Sequence, residues 1–229
     1  MSAGPAVATL PPAPRLSERP DWFYLLREFH ALYGQGCDGG SRVIRQHRRA
    51  VRGALSATFD ADPAVWSRRP DVRPVVGHLS RALDVGERGA MQGMARALRE
   101  VRDALTWEYG YEKMPRALAR KYAYAEVLGP RGPVPSEALI LGIVLFAPDT
   151  TYPQHSHSEV EESYVSIAGA WSENNAAVYA PGSLILNRSG EEHRITTGGG
   201  EPCLLAYAWI GPPGALAGQE MKFSGPRRR

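Results

Sequence analysis

From Asp21 the apolar positions Trp22, Leu25, Leu26, Phe29 and Tyr33 recur at helical spacing, and Gly34-Gln35-Gly36-Cys37-Asp38-Gly39-Gly40 ends the segment. A second helix is expected after Ser41, an N-cap residue type, with Ile44, Val51 and Leu55 on one face. Pro70 and Pro74 set off a third, centred on Val75, Leu79 and Leu83. The clearest pattern is the fourth, where Met94, Leu98, Val101 and Leu105 fall at i, i+4, i+7 and i+11. Pro115 to Tyr124 adds a short fifth. The wide apolar faces of Asp21–Tyr33 and Gly93–Trp107 need cover, either by the rest of the chain or by a second copy in a homodimer.

After Gly129-Pro130-Arg131-Gly132-Pro133 the period changes. Leu139 to Phe146 is an almost unbroken apolar run, as in a strand buried on both faces. Short strand-like runs then alternate with Gly, Pro and Asn turns: Tyr164–Ile167, Ala176–Tyr179, Ser183–Leu186, His193–Thr196 and Leu204–Ile210. The expected fold class is α+β, an N-terminal helical layer followed by a small antiparallel β-barrel. The organisation reads as a disordered Pro/Ala-rich arm over 1–20, a helical region over 21–131, a barrel over 132–221 and a basic tail over 222–229.

The net charge of +3 hides a division. Residues 1–131 carry 21 Lys+Arg against 14 Asp+Glu, and residues 132–229 carry 6 against 10. A basic half can bind nucleic acid, but the Arg residues are dispersed at helical surface spacing and no helix-turn-helix pattern stands out, so no nucleic-acid partner is expected. The two cysteines, Cys37 and Cys203, do not make a disulfide framework. The N-terminus lacks the basic-then-apolar order of a secretory signal, and no apolar run is long enough for a membrane span. A cytoplasmic protein is expected.

Of the six histidines, His30, His47 and His78 lie isolated in the helical region and read as ordinary helix residues. His155, His157 and His193 lie in the barrel region, with Glu161 and Glu162 close behind the first pair. Residues two apart in a strand share a face, so His155 and His157 can both point inward. Two imidazoles, a carboxylate and a third imidazole from another strand suit one divalent transition metal, and Fe, Mn, Zn, Co or Ni would each fit. Strict alternation from His157 turns Glu161 inward and Glu162 outward. One β-bulge between His157 and Glu162 would instead turn Glu162 and Tyr164 inward together, so alternation alone leaves both carboxylates open as the ligand.

These residues resemble the cupin superfamily, whose barrel is a double-stranded β-helix. Its first motif is matched by His155-x-His157, four residues, Glu162, six residues and Gly169. The Gly usual six positions before the first His is replaced by Asp149. The second motif keeps its spacing through Gly182, Gly190 and His193, but Arg188 stands for Pro and Thr197 for Asn. A Tyr ahead of the H-x-H (Tyr152), a Tyr two residues after the Glu (Tyr164) and a helical N-terminal part resemble the cupin-type dimethylsulfoniopropionate lyases. The motif spacing needs the β-bulge, which makes Glu162 the expected ligand and Glu161 the fallback. The resemblance implies metal ligation by His155, His157, Glu162 and His193, catalysis by Tyr164 as base with help from Tyr152, and cleavage to acrylate and dimethyl sulfide. A sulfonium cation is drawn to aromatic faces, for which Trp209, Tyr207, Trp171 and Tyr179 are the candidates. An Fe(II)-dependent dioxygenase on the same ligands, or a cupin that only binds a small ligand, is the alternative.

Overall fold

The computed structural model describes residues 12–34, 40–111, 114–212 and 214–218. Residues 1–11 of the expected arm, Cys37 in the glycine-rich stretch and the basic tail at 222–229 lie outside the described residues. Residues 12–20, expected in the arm, are held: Leu16 is buried in a single turn, Leu16–Glu18, and Asp62 accepts hydrogen bonds from the Ser17 amide (2.7 Å) and hydroxyl (2.8 Å).

Four helices follow the amphipathic patterns: α1 (Pro20–Gly34), α2 (Arg42–Ala61), α3 (Leu79–Glu87) and α4 (Gln92–Val101). The Ser41 hydroxyl caps α2 by accepting from the Ile44 amide at 3.3 Å. The third pattern divides: a 3-10 turn over Pro74–His78 runs into α3, because Pro74 suits the first turn but cannot continue a ladder. Only Arg116–Ala119 of the expected fifth helix is helical (α5).

The described residues form nine strands, numbered in chain order: β1 (Trp107–Glu108), β2 (Tyr122–Leu128), β3 (Ile140–Phe146), β4 (Thr151–His155), β5 (Glu161–Ala168), β6 (Trp171–Glu173), β7 (Leu184–Asn187), β8 (His193–Thr197) and β9 (Cys203–Ile210). β1 and β2 lie inside the stretch expected to be helical to residue 131. Their cause is local: Tyr122-Ala123-Tyr124-Ala125-Glu126 alternates large and small side chains with period two. Ala176–Tyr179 forms no strand, only a bridge from Tyr179 to Trp171. These strands pair with one another antiparallel and divide into a six-stranded sheet, β1-β2-β3-β9-β5-β7, and a three-stranded sheet, β4-β8-β6.

The large sheet is buried on both faces. Leu141, Ile143 and Leu145 join one core with the helices, together with Val165 and Ile167 of β5. Ile140, Val144 and Phe146 join a second core with Tyr152, Trp171 and Ile195 of the small sheet. The unbroken apolar run in β3 follows from this: every residue meets a hydrophobic partner, whichever face it takes. The barrel is therefore two facing sheets around the second core, with the helical layer over the back of the larger one.

Candidate metal centre

Register brings the expected ligands together. His155 at the end of β4 pairs with His193 on β8, and Glu162 on β5 pairs with Trp209 on β9. The donor atoms of His155, His157, Glu162 and His193 all lie within 4.8 Å of one another, and all four residues are buried.

Parity resolves differently from the expected bulge. β4 ends at His155, so His157 belongs to the connection to β5 rather than to a strand. Glu159 in that connection has φ 60°, in the left-handed region. The turn resets the alternation, and β5 starts with Glu161 facing the helices and Glu162 facing the second core. Glu161 instead approaches His47 Nδ1 at 3.3 Å. His47, expected to be an ordinary helix residue, is buried and also contacts the Ser163 hydroxyl through Nε2 at 2.8 Å.

The donor set fits a cation. Glu162 Oε2 lies 3.1 Å from His157 Nε2 and 3.0 Å from His193 Nε2. Yet His155 Nε2, His157 Nε2, His193 Nε2 and Glu162 Oε2 are all buried without a hydrogen-bond partner. Orphaned lone pairs at this depth are costly unless something shared satisfies them. Two rings are also oriented from behind: His155 Nδ1 sits 3.0 Å from the Pro153 carbonyl and His193 Nδ1 3.2 Å from the Glu191 carbonyl. A carbonyl can only accept, so each Nδ1 carries the proton and each Nε2 lone pair faces the cluster. Burial drives His155 down to about 3, and the nearby His193 acts in the same direction, so it is neutral and ready to ligate. Burial alone would raise Glu162, but His157 and His193 hold it well below the usual carboxylate range. For His193, burial works downward and the Glu162 carboxylate outweighs it, leaving a raised pKa. The buried His3Glu group could hold a metal ion.

The Trp209 indole N–H donates to Glu162 Oε1 at 2.7 Å, which leaves Oε2 facing the imidazoles. Supports of this kind are worth roughly 10- to 100-fold in metal affinity. Trp209→Phe keeps a ring and removes the donor. It is expected to weaken metal binding by about that factor with little change in thermal stability, as metal titration against a competing chelator would show.

A cavity of about 80 Å³ opens beside the cluster. Glu162, Tyr164, Tyr152, Tyr207 and Trp209 lie on its wall, five of the residues expected at the site. Tyr152 packs edge-on to His155 at 4.8 Å between ring centroids, and its hydroxyl lies 3.0 Å from that of Tyr111 and 3.3 Å from that of Tyr122. Burial pushes the Tyr164 phenol up, and the adjacent Glu162 carboxylate pushes it further.

Two expected aromatics do not line the cavity. The Trp171 indole turns its N–H to the Ser166 hydroxyl at 2.5 Å and packs edge-on to Tyr164, while Tyr179 packs at a tilt against Trp171 with centroids 5.0 Å apart. They buttress the wall from outside because β6 belongs to the small sheet and its side chains enter the core beneath Tyr164. The sequence reading missed Tyr109, Tyr122, Tyr124, Glu126 and Arg131, all on the cavity wall. The two-residue alternation of β2 was the signal that could have found three of them.

Comparison with known proteins agrees with this geometry. A family model described as "Dimethlysulfonioproprionate lyase" matches residues 47–205. A curated protein of Cereibacter sphaeroides named as a dimethylsulfoniopropionate lyase, DddL, is 67% identical over 214 residues, covering 93% of this chain and 92% of its own. Among solved structures, the DMSP lyase DddQ from Ruegeria pomeroyi superposes with a TM-score of 0.66 at 20% identity, covering 92% of this chain and 99% of that one. A structure from the work on DMSP lyases RdDddP and RnDddQII gives 0.65 at 22% identity, covering 90% and 99%. At these identities the two structures speak for the fold, a helical layer on a cupin-like double-stranded β-helix. The sequence matches, which span most of the chain and include all four clustered residues, go further: the chain belongs to the dimethylsulfoniopropionate lyase family.

Proposed function

We propose that the protein cleaves dimethylsulfoniopropionate to acrylate and dimethyl sulfide by β-elimination, with Tyr164 as the base. The observation that carries this reading is one cavity wall holding both Tyr164 and Glu162, with three imidazoles converging on the Glu162 carboxylate. A divalent transition metal held by His155, His157, Glu162 and His193 would supply a Lewis acid for the substrate carboxylate and for charge developing next to it. Fe, Mn, Zn, Co and Ni all suit three imidazoles and a carboxylate.

The chain's own groups account for the rest. Tyr164 takes the proton from the carbon next to the carboxylate. The electrons of that C–H bond form the new double bond, and the C–S pair leaves on sulfur as neutral dimethyl sulfide. Tyr152, joined to Tyr111 and Tyr122, keeps a hydroxyl dipole at the cluster side of the cavity. Tyr207 and Trp209 present ring faces to the sulfonium. Among the described residues no helix is long and apolar enough to cross a membrane.

Headspace detection of dimethyl sulfide from purified protein and substrate tests the reading. Release that continues without oxygen, stops on chelation and returns with metal is expected. No release from metal-replete protein would remove the lyase assignment, and oxygen-dependent turnover would favour a dioxygenase.

A further inference from the structure

Beyond Tyr207 the cavity wall carries a carboxylate that this mechanism does not use. Glu126 (β2), Gly142 (β3), Tyr207 (β9) and Tyr164 (β5) are successive partners in the antiparallel ladders, so they form one row across four strands. A side chain on Gly142 would collide with the Ala125 carbonyl and the Tyr207 ring. Glycine there lets Tyr207 lie across β3, between Tyr164 at one end of the row and Glu126 at the other. Glu126 is buried, yet it is a carboxylate on the wall of a cavity lined mostly by aromatic rings.

We infer that Glu126, with the ring faces of Tyr124 and Tyr207, is the cation subsite that selects the sulfonium end of the substrate. The inference rests on the proposed lyase reading and adds the residue that sets charge specificity. The Glu126 carboxylate is oriented by the Arg131 amide, which donates to Oε1 at 2.8 Å. The Arg131 guanidinium stays 4.0 Å from Oε2, and its side chain is 56% exposed against 4% for Glu126. Both side chains lie on the cavity wall, but the guanidinium is the more exposed of the two, so water weakens its charge more than that of the enclosed carboxylate. Burial pushes the Glu126 carboxyl up, and the Arg131 amide and guanidinium pull it back. A second carboxylate, Glu108, accepts from the Tyr124 hydroxyl at 3.4 Å and pairs with the Arg68 guanidinium at 3.9 Å, which leaves Glu126 as the carboxylate on the cavity wall at this end. A carboxylate behind aromatic faces suits a soft, methylated cation that cannot donate hydrogen bonds. At the opposite end, the metal-ligand cluster suits the substrate carboxylate.

Calorimetry on metal-loaded protein with two substrate isosteres tests this. One is 3-(trimethylammonio)propanoate, with a cationic tail that has no N–H, and the other is 4,4-dimethylpentanoate, with a neutral tail of the same shape. The wild type is expected to bind the cationic isostere at least about 10-fold more tightly, and Glu126→Gln to shrink that preference to within about 3-fold. Arg131→Gln keeps the amide that orients Glu126 and is expected to widen the preference. It covers the case in which Glu126→Gln fails to fold. Equal binding of both isosteres by the wild type, or an unchanged preference in folded Glu126→Gln, overturns the inference. So does loss of both isosteres in Arg131→Gln, which would assign that end to the carboxylate. A cation preference without dimethyl sulfide release would keep the subsite and sink the lyase reading. Release without the preference would do the reverse.

Discussion

Replacing Tyr164 by phenylalanine is expected to lower kcat for dimethyl sulfide release by about 100- to 10,000-fold, the usual range for a positioned acid–base group. Metal content and thermal stability should stay near wild type. The Tyr164 ring packs against Trp171 and near His193, at 5.9 Å and 6.2 Å between centroids, and phenylalanine keeps both contacts. Only the oxygen is lost. Burial and the Glu162 carboxylate both push this phenol up, so its basic form is scarce at neutral pH unless positive charge gathers in the cluster. Wild-type kcat/KM should accordingly rise toward alkaline pH, and the residual activity of Tyr164→Phe should lose that rise. A variant with wild-type kcat and an unchanged pH profile would remove Tyr164 from the reaction.

The second large effect separates two adjacent carboxylates. Glu162→Gln is expected to weaken metal binding by more than about 100-fold, beyond the loss seen when a ligand's supporting partner is removed. Turnover should fall with it. Glu161→Gln should bind metal as the wild type does, because its side chain faces α2 and contacts His47. Metal analysis of both proteins after dialysis, followed by headspace assay, checks the pair. Metal retained by Glu162→Gln and lost from Glu161→Gln would reverse the assignment.

These two residues also show what could be read from the chain alone. Both were visible as candidates, because a carboxylate four or five positions after an H-x-H is a compact signal. Which one faces inward was not, because strand parity counts only within one continuous strand. β4 stops at His155, and Glu159 adopts a conformation that alternation cannot foresee. The helical layer was legible wherever one face is wet, as in α2 and α4. β2 was legible only as an alternation of large and small side chains, since every one of its residues is buried and its Ala and Glu favour a helix while its Tyr favours a strand. With β2 went Tyr122, Tyr124 and Glu126, and so the far wall of the cavity. Trp171 and Tyr179 were chosen for their rings alone, and composition does not say whether a ring lines a wall or props it.

β5 reads differently from its two sides. Its inward residues, Glu162 and Tyr164, belong to the chemistry. Its outward residue Ser163 is held by His47 of α2 and by the Tyr33 hydroxyl of α1, both at 2.8 Å. A one-residue slip of this strand would exchange the two sets and leave the centre without its carboxylate. The helices thus act as a registration pin, and the barrel is not a portable catalytic module. Grafted without its helical cover, it would keep the ligand sequence and lose the part that keeps those ligands in phase.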